Sequence, residues 1–165
     1  KEGILAHLLL EGLNLLVKEM EAVCNLEQSS GADCTLQELA NAYLGFCQSN
    51  PSYFRLIMAF DRGRFEESIS HELHQQVMNK SLHGLDLLAR TIEQGKADGL
   101  FHVEDPWQAA GSVWAALNGV LVLMGHPLRQ QLLRNDLETM FEATLDLVLR
   151  GLKDGRQQIE KEERA

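Results

Sequence analysis

Along most of this chain the apolar residues return every third or fourth position, the repeat of an amphipathic helix, and nowhere do they alternate as in a strand. The first helix is predicted from about Glu2 to about Asn25, with Ile4, Leu5, Leu8, Leu9, Leu15, Leu16, Met20 and Val23 forming a wide stripe. Ser29-Ser30-Gly31-Ala32-Asp33 reads as a loop. Thr35 with Glu38 three residues on matches a capping box and predicts the start of a second helix bearing Leu36, Leu39, Ala40, Tyr43 and Cys47 on one face. Asn50-Pro51 is a helix-start pair, because proline loses nothing at a first helical position whose amide has no partner. It predicts a short aromatic third helix with Tyr53, Phe54, Ile57, Met58 and Phe60, ended by Arg62-Gly63-Arg64. A long fourth helix is expected from about Phe65 to about Gln94, carrying Ile69, Leu73, Val77, Leu85, Leu88 and Ile92, with Gly95 as its cap and Asp98-Gly99 as a turn.

Asp105-Pro106 repeats the start device and opens a fifth helix to about Met124. It is apolar on two faces. One stripe is Trp107, Ala110, Trp114, Leu117, Leu121 and Met124; the other is Ala109, Val113, Ala116, Val120 and Leu123. A helix of this kind needs cover on both sides, so the second stripe is expected to meet a partner subunit or the last helix. Gly111, Ala115, Ala116 and Gly119 would allow a close approach. Gly125-His126-Pro127 breaks the pattern. The sixth helix is expected from Asn135 or Asp136, with Leu137, Met140, Phe141, Leu145, Val148 and Leu152, ended by Gly151 and Gly155; Arg156–Ala165 is a polar tail expected to lack order. The fold class is therefore all-α, a bundle of about six helices, with residues 1–155 as one domain.

Composition narrows the function. The formal charge of −9 repels phosphate backbones, so these residues alone are not a nucleic-acid-binding surface. Ala109–Met124, the most apolar run, contains Ser112 and Asn118 and reads as a core helix, with no membrane span expected. The three cysteines, Cys24, Cys34 and Cys47, are an odd number without close pairing, which fits a reducing cytosol. Lys1-Glu2-Gly3 leads into an amphipathic pattern, so no secretion leader is expected. Glu21 and Glu27 flank Cys24 and disfavour its thiolate, so the cysteines are expected to be inert. His71 and His74 share a helix face, but no third ligand is near, and solvated histidines are the simpler reading. No phosphate loop, nucleophile elbow or paired metal motif is present; neither an enzyme nor a cofactor is expected.

Four segments, in order, carry a resemblance. Lys1-Glu2-Gly3-Ile4-Leu5 is similar to the segment that leads into the fourth helix of TetR/AcrR-family transcriptional regulators. Ala42–Met58 resembles that family's element of asparagine or glutamate, proline, an aromatic pair and Leu-x-Met. Ile92–Leu121 resembles its return turn and penultimate helix, and Leu145–Leu152 its closing helix. The resemblance covers about residues 1–153. It implies a C-terminal ligand-binding and dimerisation domain, two copies joined through a four-helix bundle, and an internal pocket for a small, largely apolar effector. It also implies that DNA is contacted only through a helix-turn-helix head that this chain does not contain. The candidate pocket residues are Phe54, Met58, Met78, His83, Trp114, Asn118 and Leu121. Asn118 is the sharpest of them, since an amide in an apolar helix needs a partner. The candidate dimer residues are Ala109, Val113, Ala116, Val120, Leu123, Leu137, Met140, Phe141 and Val148. A freestanding helical carrier of lipids or other small molecules is the alternative; it would have the pocket without the dimer.

Overall fold

The structure, a computed structural model, describes residues 2–26, 31–61 and 70–155. Among them it contains seven helices: α1 (Glu2–Leu26), α2 (Ala32–Ser49), α3 (Pro51–Asp61), α4 (His71–Ala97), α5 (Pro106–Met124), α6 (Pro127–Leu133) and α7 (Leu137–Asp154). The arginines expected to end α3, the segment Phe65–Ile69 and the polar tail lie outside the described residues. α4 is the central strut, packed against α1, α2 and α5; α5 in turn packs on α7, and α3 closes against α1 and α2. One apolar core runs through the whole, with Leu36, Phe46, Val77, Ile92, Phe101, Val113 and Phe141 almost wholly enclosed.

The helix starts follow capping chemistry. Asp105 Oδ1 accepts from the amides of Trp107 and Gln108 at 2.9 and 3.2 Å, with Pro106 just inside. Asp136 accepts from the Thr139 amide at 2.8 Å and opens α7. Ser70 accepts from the Leu73 amide at 3.3 Å and caps α4 at His71. Asn50 closes α2 with its amide on the Phe46 carbonyl at 2.8 Å, and its own carbonyl takes the Phe54 amide of α3 at 3.1 Å.

Four local expectations are corrected. The capping box at Thr35 does not form, because α2 begins three residues earlier. Gly31 is its extended N-cap, and the Thr35 hydroxyl sits inside the first turn, donating to the Gly31 carbonyl at 3.4 Å. The seventh helix is α6. His126-Pro127 both ends α5 and starts a new helix, with His126 Nδ1 accepting the Leu128 amide at 3.2 Å. The third concerns Gly95, which is no cap; α4 runs past it to Ala97. The cap is a Schellman motif around Gly99, whose φ of +73° suits glycine. There the Gly99 amide bonds the Lys96 carbonyl at 3.1 Å and the Leu100 amide bonds the Gly95 carbonyl at 2.8 Å. Gly95 instead makes room. A Cβ there would stand 2.2 Å from the buried Phe101 ring. Gly151 likewise lies within α7, which ends at Asp154 with Gly155 as C-cap.

Candidate functional site

The longest apolar stripe of α1 does not close fully on α4. Between them, roofed by α2, α3 and α5, is a cavity of about 240 Å³. α1 supplies Leu13, Leu16, Val17 and Met20, all buried, because these positions face α4 at helical spacing. α2 adds Leu39, Ala40 and Tyr43, and α3 adds Ile57, Met58 and Phe60. α4 contributes the widest arc, from Met78 and Lys80 through Gly84 to Leu88, and α5 contributes Trp114 and Leu117. A wall of this kind, apolar with a few polar groups, is the ordinary form of a small-molecule site. It exceeds the roughly 150 Å³ apolar cavity that takes up benzene.

Of the seven candidate pocket residues, three line this cavity: Met58, Met78 and Trp114. Four do not, each for a visible reason. Phe54 stands beside Tyr43, edge-on at 6.5 Å between ring centres. Leu121 is buried in the core near the far end of α5. His83 Nε2 is 2.7 Å from Glu21 Oε1, a pair tying α4 to α1. Asn118 has the partner its setting demands: its Oδ1 accepts from the Tyr43 hydroxyl at 2.5 Å, so α5 is pinned to α2 at the edge of the cavity. Sequence reasoning missed the α1 wall entirely, and with it Leu13, Leu16, Val17 and Met20. The signal was present in the width of the α1 stripe, but which members touch a void and which touch side chains is not periodic.

The candidate dimer residues fall into two groups. Val113, Val120 and Phe141 are 1%, 8% and 0% exposed in the single chain; they are core residues of one protomer and offer a partner nothing, which corrects the expectation that the second stripe is reserved for a twin. Ala109, Leu137, Met140 and Val148 are partly buried at the edge of the core, Ala116 is similar, and Leu123 is exposed. The reason lies in α5 itself. On a helix apolar nearly all round, two adjacent stripes overlap, and the buried arc (Ala110, Val113, Leu117, Val120, Leu121, Met124) takes members from both. The opposite arc, with Ala115, Val122 and Leu123, stays open. So do Leu147 of α7, at 63% exposure, and Leu128 and Leu132 of α6. By length and hydropathy α5 would suffice to cross a membrane, yet a third of it is buried here, against α4 and α7.

The remaining candidate chemistry is quiet. Burial pushes the Cys47 thiol up to about 12. Burial also raises Cys24, against a hydrogen bond with Thr91 and with the help of Glu21. His71 is exposed, while His74 rests against Phe60 with ring centres 5.8 Å apart. Among the described residues no three His, Cys, Asp or Glu side chains converge as a metal site.

Among the described residues the domain is all-helical, built around an apolar internal cavity with one open apolar flank. The chain belongs to the tetracyclin repressor-like C-terminal domain family, whose model matches residues 36–148. That family is one of regulatory domains, not of enzymes. A solved structure of a protein of unknown function from Rhodococcus sp. RHA1 shares the fold, with a TM-score of 0.74 at 21% identity over 93% of this chain and 74% of that one. No curated protein matches the chain.

Proposed function

We propose that this chain is the effector-sensing and dimerisation part of a cytoplasmic transcriptional regulator, a repressor whose grip on DNA is relieved by a small, largely apolar molecule. The observation that supports this most is the double duty of α5. One arc presents Trp114 and Leu117 to the cavity, and the opposite arc presents Ala115, Val122 and Leu123 to the outside. A ligand and a partner would thus touch the same rigid rod. The open arcs of α5 and α7, with Leu123, Met140 and Leu147, would pair with their copies in a four-helix bundle, an isologous contact between two identical faces. On this reading DNA contact belongs to a helix-turn-helix head outside this chain, joined to α1. α1 also forms a whole wall of the cavity, so filling the cavity shifts α1 against α4 and changes the spacing of two such heads. The energetic requirement is modest: a tenfold preference of effector for one of two states is about 1.4 kcal/mol, and the coupling is reciprocal.

The test pairs sedimentation with uptake of 1-octanol, followed by tryptophan fluorescence through Trp114. A dimer that takes up one octanol per chain is expected. A monomer with the same uptake would be a carrier, and a protein that takes up no apolar probe refutes the sensing role.

A further inference from the structure

Resting on that reading of the cavity, we propose that the effector is an amphipathic anion, an alkyl or aryl body of about eight carbons ending in a carboxylate. The size follows from the volume: at about 240 Å³ the cavity exceeds the roughly 150 Å³ site that takes up the six carbons of benzene, so a body of about eight carbons fits. The head group follows from where the wall changes character. Among the cavity residues Lys80 is the only charged one, and Ser81 stands next to it. Ser81 is exposed and Lys80 half-buried, and with the exposed Met78, Leu82 and Trp114 they rim the open side; the polar part of that rim is this pair, whereas the remainder of the wall is hydrocarbon, sulfur or aromatic apart from Tyr43. The Tyr43 hydroxyl is already committed to Asn118.

Lys80 also lacks the usual occupation of a helix-surface lysine. The positions one turn away on α4 are Gln76, Val77, His83 and Gly84, none of which bears a carboxylate. Among the described residues Lys80 makes no ion pair, while Asp86 holds Arg90 at 2.7 Å and Glu21 holds His83. A lysine stem lies along apolar surface and carries its ammonium to water, which puts a cation where the head of a bound ligand would emerge. The overall charge of −9 does not cancel this, since distant carboxylates are screened beyond about 8 Å at physiological salt.

The experiment titrates the full chain with octanoate, 1-octanol and octyltrimethylammonium at neutral pH, in the wild type and in Lys80→Met and Lys80→Arg. Octanoate is expected to bind roughly five- to tenfold more tightly than octanol, and the cation more weakly than either. Lys80→Met should erase the preference for octanoate over octanol, and Lys80→Arg should keep it. Octanol binding as tightly as octanoate in the wild type, or an octanoate preference that survives Lys80→Met, overturns the head-group inference and leaves the cavity's role intact. Saturable binding of none of the three probes removes the cavity reading and this inference together.

Discussion

Two neighbouring substitutions on α5 separate the interface from the core. Val120 and Leu123 both sit in the apolar stripe that the sequence assigns to a partner, yet they are 8% and 43% exposed. Fully burying a leucine is worth about 1.5–3 kcal/mol, so covering the exposed 43% of Leu123 in a dimer contributes about 0.6–1.3 kcal/mol per chain. In a twofold-symmetric contact the term counts twice, about 1.3–2.6 kcal/mol, or roughly a tenfold to eightyfold change in the dimer constant. Leu123→Glu also forces two carboxylates out of water near the symmetry axis, so the dimer should weaken by about a hundredfold or more. The chain itself should stay folded and helical, because at 43% exposure the new carboxylate can reach water from the single chain. Val120→Glu places an unpaired carboxylate in a closed core. That costs several kcal/mol out of a stability of about 5–15 kcal/mol, so loss of folded protein is expected. Sedimentation velocity with far-ultraviolet circular dichroism reads both outcomes. A Leu123→Glu protein that dimerises as tightly as the wild type refutes the interface. A folded, monomeric Val120→Glu protein refutes the assignment of Val120 to the core.

Other consequences are open to direct measurement. Trp114→Ala removes part of the cavity wall and should alter octanol affinity; unchanged affinity would reduce Trp114 to scaffolding. Gly95→Ala drives a methyl into the Phe101 ring and should destabilise by about 1–3 kcal/mol in urea titration, whereas Gly45→Ala, with nothing within 4 Å, should stabilise by about 0.5–1 kcal/mol; equal effects at the two sites would disprove the close-approach role. The hydrogen bond from Lys153 at 2.8 Å holds the Asp33 carboxyl below its ordinary 3.8, with help from the Cys34 amide and against partial burial. A depressed carboxylate stabilises above its unfolded value and loses that contribution as pH falls through the native one. Lys153→Met should therefore cost about 0.5 kcal/mol near neutrality, a cost that fades as the pH falls through the native value, and one that persists in acid would mean lost packing of the lysine stem.

The local grammar of this chain is written in its sequence. Asp105-Pro106 and Asp136 place helix starts because an orphan amide needs an acceptor within two or three residues. The apolar period places α1, α2, α3 and α5 because one face of each must leave water. The family is legible too, since it resides in the order of such signals. What the tertiary structure alone decides is how faces are shared. Gly95 reads as a helix end until Phe101 is seen filling the space above it. His126-Pro127 reads as a break until α6 is seen starting there. Val113 and Val120 read as partner-facing until α4 and α7 are seen to pack on α5, and Phe141 of α7 until the same packing is seen to bury it. The cavity is the clearest case, because a void is the absence of a side chain where several helices meet. Periodicity along one helix records which side is apolar, and it holds no information about whether the neighbours fill the space in between.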